Sequence, residues 1–393
     1  MNNQLSRRSF LQTSITLVLS QMLFGCSNRD TIPQVLFLEN SIPPQLIKNF
    51  RKATKQPGKI KFKPQTQITQ IFELLFNLQQ DQNPDSQIKN LINKIFNRPV
   101  VEPKLATLGD AWLSTAIKEN LVKPLSVKNL ANWQKLPIAW QKLVRRNAQG
   151  DLAADGKVYG APYRWGSTVI AYRSDKLDQA NLVLTDWQDL WHPELRDRIS
   201  LLDSPREVIG LTLKKLGQSY NTSDLDSVPD LATQLRELHQ QAKLYSSDHY
   251  LEPLVLGDTW AAVAWSTDIF PLLKRYPEIK VAIPQSGASL WADLWVEPQR
   301  SQATSAANSP NPTIAEEWIN YCWETETAKQ ISLLTAGISP MLFALKPEEI
   351  PAELQDDGSN SEILKSDRSE FLLPLTPETE QQYQDLWLEI RQS

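Results

Sequence analysis

The sequence predicts an α/β chain with a largely parallel sheet, divided into two domains. Two observations carry this. Strand-like apolar runs alternate with helix-period segments through the first third of the chain, which is the β-α-β-α signature of an α/β lobe. The length of 393 residues is enough for two domains, each with a sizeable core. A third observation, the composition, sets the class: 41% hydrophobic and 22% charged residues fit an ordinary globular protein. The net charge of −4 gives no basis for nucleic-acid binding.

The elements follow in order. Gln34–Leu38 (QVLFL) reads as a first buried strand. Ile42-Pro43-Pro44 opens a helix running through Phe50, because proline is tolerated in a first helical turn. Lys59–Lys63 alternates as a second strand, and Gln67–Leu78 carries Ile68, Ile71, Phe72, Leu75 and Phe76 at helical spacing. Gln79–Gln87 is polar and reads as a loop. Lys104–Leu108 is a short strand, and Ala111–Asn120 a helix after Gly109-Asp110.

After a turn at Asp155-Gly156, Thr168–Tyr172 (TVIAY) is a buried strand and Asp186–His192 a short helix. Ile199–Leu202 is a strand, Pro205–Leu216 a helix capped by Asp203 or Ser204, and Leu225–Gln241 a further helix. Ala261–Trp265 is a strand, followed by a helix over Asp268–Arg275 with Ser266 as its cap; Val281–Ile283 is another strand. Ser301–Pro312 reads as a surface loop, Thr313–Thr335 as two helical blocks, and Tyr383–Ile390 lies in a last helix.

One stretch stands out, Ser286–Pro298 (SGASLWADLWVEP). Trp291–Val296 alternates with period two, so Ala292, Leu294 and Val296 form an apolar face. The opposite face carries Asp293 between Trp291 and Trp295. Indole faces attract cations and a carboxylate supplies the counter-charge, so this face suits an organic ammonium ion. The alternative is that both tryptophans are core or lobe-interface residues and Asp293 is a cap. A second acid, Glu207, falls in the first turn of a helix just after a strand. An acid there is stabilised by the helix dipole alone, but such strand-to-helix turns are also where α/β lobes bind ligands. Trp265, at the end of a strand and before a helix, has the same address.

Catalytic hardware is thin. The three histidines, His192, His239 and His249, have no metal-ligand spacing, and no phosphate-binding glycine loop or nucleophile-elbow motif occurs. The sequence therefore gives no catalytic residue, cofactor or metal. Residues 1–25 read as an export signal. Ser6-Arg7-Arg8-Ser9-Phe10-Leu11 resembles a twin-arginine motif, the apolar run Ile15–Phe24 is too short to span a bilayer as a stable helix, and Leu23-Phe24-Gly25-Cys26 resembles a lipoprotein box. Cys26 is then the lipidation site and Ser27–Asp30 a tether; a simple membrane anchor is the alternative reading. With Cys26 lipidated, Cys322 has no partner and reads as a small buried hydrophobe.

Taken together, Tyr159–Leu177 (YGAPYRWGSTVIAYRSDKL), Asp186–Thr222, Ala262–Phe270 (AVAWSTDIF), SGASLWADLWVEP and Ile42–Phe50 (IPPQLIKNF) resemble the bacterial extracellular solute-binding proteins of polyamine ABC importers, the spermidine/putrescine-binding family. The resemblance covers most of residues 155–345. It implies a two-lobed periplasmic-binding-protein fold, type II-like, with a ligand cleft between the lobes. The first lobe is expected at residues 31–166 plus 280–335, the second at 167–279, and a C-terminal tail, 336–393, packing across them.

The resemblance also implies a function: capture of a small cationic solute, polyamine-like, by hinge closure, and delivery to a membrane permease and ATPase complex. The location is periplasmic with a lipid anchor, and the chain is not an enzyme. Carried over residue by residue, the ligand contacts are Trp265, Trp291, Asp293 and Glu207. The chain also departs from the family. Leu38-Glu39-Asn40-Ser41 and Leu108-Gly109-Asp110-Ala111 replace aromatic segments, Ser204 replaces a carboxylate and Ile338 a tyrosine. Glu39, Asp110 and Ser204 stand at those places and join the candidate site. A binding protein of the same fold for a different small solute, and a periplasmic enzyme, are the other readings.

Overall fold

A computed structural model describes residues 32–54, 60–80, 101–299, 312–355 and 368–392. The export signal, Cys26, most of the polar stretch Gln79–Gln87 and most of Ser301–Pro312 lie outside the described residues.

The chain opens with three parallel strands, β1 (Ile32–Leu38), β2 (Lys61–Gln65) and β3 (Val101–Gly109), with β1 in the middle. Between and after them run α1 (Pro44–Ala53), α2 (Ile68–Gln80) and α3 (Asp110–Lys118). Pro44 at the first position gives α1 its backbone angle, Leu46 and Phe50 one turn apart bury its inner face, and Arg51 and Lys52 face the negative end of its dipole. Short strands follow at Val122–Lys123 (β4), Arg145–Arg146 (β5) and Lys157–Val158 (β6).

The next strand, β7 (Ala161–Arg173), is continuous over 13 residues and buried through Ala171. The sequence places a strand at Thr168–Tyr172; the structure carries it back to Ala161, through Pro162 and Gly166. Both are accommodated: Tyr163 is an extra residue where the register with the opposite strand shifts, and Gly166 lies under an indole.

A second parallel group consists of β8 (Ile199–Leu201), β9 (Ala242–Tyr245) and β10 (Ala261–Trp265). Its helices are α4 (Pro205–Lys215), α5 (Leu231–Gln241) and α6 (Ser266–Leu273). The helix expected over Leu225–Gln241 starts only at Leu231, because Pro229 is followed by Asp230 in the left-handed region at φ 61°. Ser204 stands at the N-cap of α4 without a side-chain bond to it, and α6 begins at Ser266 rather than at Asp268. The strand β11 (Ile279–Ala282) then pairs with β7, and the chain returns along β12 (Ser289–Pro298).

The strands make an 11-stranded sheet whose main order is β2-β1-β3-β12-β7-β10-β8-β9. The antiparallel pair β12 and β7 lies between the two parallel groups and belongs to both. The result is a two-lobed α/β architecture with two crossing strands. In the first half, Trp318 of α7 (Ile314–Cys322) packs edge-on against Phe50, Phe62 and Trp295. In the second, Val169, Ile170, Leu201, Ile209 and Val263 are fully buried. The helix α7 starts at a capping box of Thr313 and Glu316, and α8 (Thr325–Leu334) follows it. Cys322, the free cysteine among the described residues, is fully buried, and burial pushes its thiol far above the usual range.

The C-terminal segment touches both halves. The strand β13 (Glu370–Phe371) pairs with Ser289 and Leu290; the Glu370 carboxylate lies 2.9 Å from Lys214 Nζ on α4, and Phe371 packs edge-on against Trp140 at 5.0 Å. The last helix, α9 (Pro377–Gln392), buries Tyr383, Trp387 and Ile390 against α4 and α5.

Candidate functional site: where the strand ends meet the crossing pair

Strand register brings the candidate residues together. Gly109, the last residue of β3, faces Asp293 on β12, and Asp293 faces Arg164 on β7. Two residues on, Trp291 faces Gly166. Trp265, the last residue of β10, faces Thr168. The carboxyl ends of both parallel groups therefore converge on one stretch of the crossing pair, the place where open α/β sheets bind ligands.

Trp291, Asp293 and Trp295 share a face of β12 but not an environment. Trp295 is fully buried and stacks on Tyr163 at 4.4 Å, with Trp318 edge-on to it, so it is core. Trp291 is half-buried and lies on Gly166, where a Cβ would come within 2.3 Å of its Cζ2. Asp293 is buried and paired with a residue the sequence had not singled out: Arg164 Nε donates to Oδ2 at 2.8 Å, and Nη2 lies 2.5 Å from the same oxygen. The Arg164 guanidinium carbon stands 5.8 Å from the Trp291 ring centroid. The only hint in the sequence is a lone arginine inside an otherwise aromatic and small-residue run, YGAPYRWGS.

On the other side of the crossing pair, Glu207 in the first turn of α4 is buried, and Ser289 Oγ donates to its Oε2 at 2.6 Å. Burial pushes this carboxyl above its usual range, while the Ser289 hydrogen bond and the Trp265 side chain act the other way. Trp265 is half-buried, with Tyr250 edge-on at 5.9 Å. The Tyr250 hydroxyl donates to Asp268 Oδ2 at 2.8 Å and accepts from the Trp265 backbone N–H. Burial also raises the Asp268 carboxyl, against the pull of Tyr250. The sequence does not single out Tyr250, since it needs the fold to bring it to Trp265; Asp268, three residues after Trp265 in the first turn of α6, reads there only as part of a helix.

Asp110, the first residue of α3, accepts from the Ala292 backbone N–H at 2.9 Å through Oδ1. Burial pushes its carboxyl up to about 7; Arg146 opposes the rise and Asp293 adds to it. Glu39 is exposed in the turn after β1, beside Asn40 at φ 61°, and Ser204 is half-buried before α4. Neither makes a side-chain hydrogen bond that ties it to the Asp293 or Glu207 groups. Ile338, in the place of a family tyrosine, is buried and bridged to Trp165 by two backbone hydrogen bonds of 2.9 Å.

Three buried polar atoms on these meeting elements have no protein partner: Asp110 Oδ2, Ser167 Oγ and Trp291 Nε1. Buried polar groups are normally hydrogen-bonded, so such a concentration calls for water or a polar ligand. Among the described residues no group of three or more metal-ligating side chains comes together.

The family profile described as bacterial extracellular solute-binding protein matches residues 45–358, most of the chain. The chain is a bacterial extracellular solute-binding protein. Among curated relatives of this solute-binding protein, the spermidine/putrescine-binding periplasmic protein of Salmonella typhimurium is 30% identical over 188 residues, 48% of this chain and 51% of the relative. The chain thus spans about half the length of the first curated relatives it matches. The spermidine/putrescine-binding periplasmic protein 1 of Haemophilus influenzae is 24% identical over 296 residues, 72% of this chain and 77% of the other. Among solved structures, the spermidine/putrescine ABC transporter substrate-binding protein of Streptococcus pneumoniae superposes with a TM-score of 0.72 at 20% identity, covering 92% of this chain and 99% of that one. That likeness establishes the fold. No helix among the described residues is long and apolar enough to cross a membrane.

Proposed function

We propose that this solute-binding protein captures a small cationic, polyamine-like solute between its two lobes and delivers it to a membrane permease and ATPase complex. The observation that carries the reading is the pair of half-buried indoles, Trp265 at the end of β10 and Trp291 on the crossing strand β12, with the buried acids Glu207, Asp293 and Asp110 and the exposed Asp268 on the same elements and the helices that follow them. Aromatic faces hold methylenes and cations, and buried carboxylates offset the hydration an ammonium group loses. The names of the curated relatives support the same solute class.

In this reading Trp265, Trp291 and Glu207 contact the ligand, with Asp110, Ser204, Glu39 and Asp293 around its path. The first lobe comprises residues 31–166 and 280–335 and the second 167–279, with the tail, 336–393, bridging them. Closure bends the chain where β7 and β12 pass between the lobes. The protein works outside the cytoplasm, exported by the twin-arginine segment and held by lipid at Cys26, and it turns over no substrate. A thermal-shift screen with amines, amino acids and sugars tests this. A ligand that binds only the folded state raises the melting temperature, by RT ln(1 + [L]/Kd) in free energy, and the amines are expected to be the class that does so.

A further inference from the structure

We propose that Arg164 is a specificity-determining residue that occupies, from within the chain, the place an organic ammonium would take at Asp293, so that the cleft accepts a shorter amine in preference to a triamine. This rests on the amine-binding reading above. The face formed by Trp291 and Asp293 has the chemistry of a cation site, an indole beside a carboxylate, and the cation there is the protein's own. The Arg164 guanidinium is bonded to Asp293 at 2.8 Å and 2.5 Å, and its carbon stands 5.8 Å from the Trp291 ring. Both side chains are only 5% exposed.

The surroundings are shaped to hold this arginine. A Cβ at Gly337 would come within 2.5 Å of Arg164 Cγ and 2.6 Å of Cδ, so the glycine makes room for its stem. The Thr335 carbonyl oxygen lies 3.5 Å from Nη1. Gly166 in turn lets the Trp291 ring come close to the neighbouring strand. With Asp293 neutralised in place, an ammonium brought to the same point would meet a like charge in a poorly hydrated setting, where charges interact strongly. Asp110, beside Asp293, is turned onto the Ala292 backbone N–H and burial raises its carboxyl to about 7, so the acids left for a ligand's ammonium are Glu207 and Asp268, near Trp265. The ligand therefore anchors one cationic end there and has no anchor for an additional charge at Asp293.

The test is the affinity of the native protein and of Arg164→Met for 1-aminobutane, 1,4-diaminobutane and spermidine, measured calorimetrically, with circular dichroism to confirm folding. The native protein is expected to bind the best of the two shorter amines at least ten-fold more tightly than spermidine, and Arg164→Met to move that ratio at least ten-fold toward spermidine. A purely structural arginine would leave the ratio unmoved. A ratio within two-fold of the native value in a folded Arg164→Met overturns the proposal while the amine-binding reading stands. If Arg164→Met does not fold, the native ratio decides, and spermidine binding as tightly as the shorter amines overturns it. If only Arg164→Met binds spermidine and the native chain binds no amine, the proposal falls together with the amine cargo of the native chain. If neither form binds any of the three, both fall.

Discussion

Arg164 on β7 and Asp293 on β12 face each other across the two strands that both lobes share, with Nε 2.8 Å from Oδ2 and both side chains buried. The pair ties the crossing strands at the level where β3 ends, since Gly109 is the next residue in the same row. A buried pair of this kind stabilises little over an apolar equivalent, but breaking it on one side leaves a charge without a partner.

Asp293→Asn is therefore expected to destabilise the fold by about 3–5 kcal/mol, the usual cost of orphaning a buried charge. Arg164→Met combined with Asp293→Asn should recover part of that loss, because no charge is left unpaired. Urea denaturation of the two variants and the native chain measures this. A cost below about 1 kcal/mol for Asp293→Asn, as at exposed pairs, would show that the pair is solvated.

Asp110 makes stability depend on pH. Burial raises its carboxyl from 3.8 in the unfolded chain to about 7 in the folded one. Between those values the folded state keeps a proton that the unfolded state has lost. The contribution is fully present below about 3.8 and is lost as pH rises through about 7, on the order of 4 kcal/mol at about 1.4 kcal/mol per unit. Glu207 and Asp268, also raised, act with the same sign. The difference in unfolding free energy between the native chain and Asp110→Asn should therefore shift against the native chain from about pH 4 to pH 7. A difference that stays flat over that range contradicts the assignment.

Gly166 is needed for the close approach of Trp291. Gly166→Ala places a methyl 2.3 Å from Trp291 Cζ2 and 2.6 Å from Ser266 Oγ. Overpacking of this kind costs about 1–3 kcal/mol, so the melting temperature should fall and the tryptophan emission should change as the ring is displaced. An unaltered melting temperature and spectrum would mean that the indole does not rest there.

Export and anchoring are tested at the N-terminus, outside the described residues. Cys26→Ser should move the protein from the membrane fraction to the soluble one in cells. Retention on the membrane after that change would support a simple membrane anchor instead.

The order of elements was legible because hydrophobic period separates strand from helix, and Trp265 and Glu207 were singled out because each sits where a strand gives way to a helix. The partner of Asp293 was not legible. It lies 129 residues away, and only strand register decides which residue faces which. Nor could alternation separate Trp291 from Trp295. Both lie on one face, but Trp295 is covered by Tyr163 and Trp318 while Trp291 is not. The strand β7 runs on through Pro162 and Gly166, residues that weaken an isolated strand but are tolerated at a register shift and under a ring. Tyr250 reaches Trp265 through contacts that no local pattern encodes.

The central claim is that a short amine is held between Trp265 on β10, Glu207 on α4 and Trp291 on the crossing strand β12. Calorimetric titration of 1,4-diaminobutane into the native protein and Glu207→Gln tests it most directly. The native chain should bind one equivalent, and Glu207→Gln should weaken it by well over ten-fold. Truncating one partner of a desolvated charge pair costs about 2–5 kcal/mol, and about 1.4 kcal/mol is ten-fold. Unchanged binding in a folded Glu207→Gln, or saturable binding of a sugar or an anion where the amine gives no heat, would contradict it.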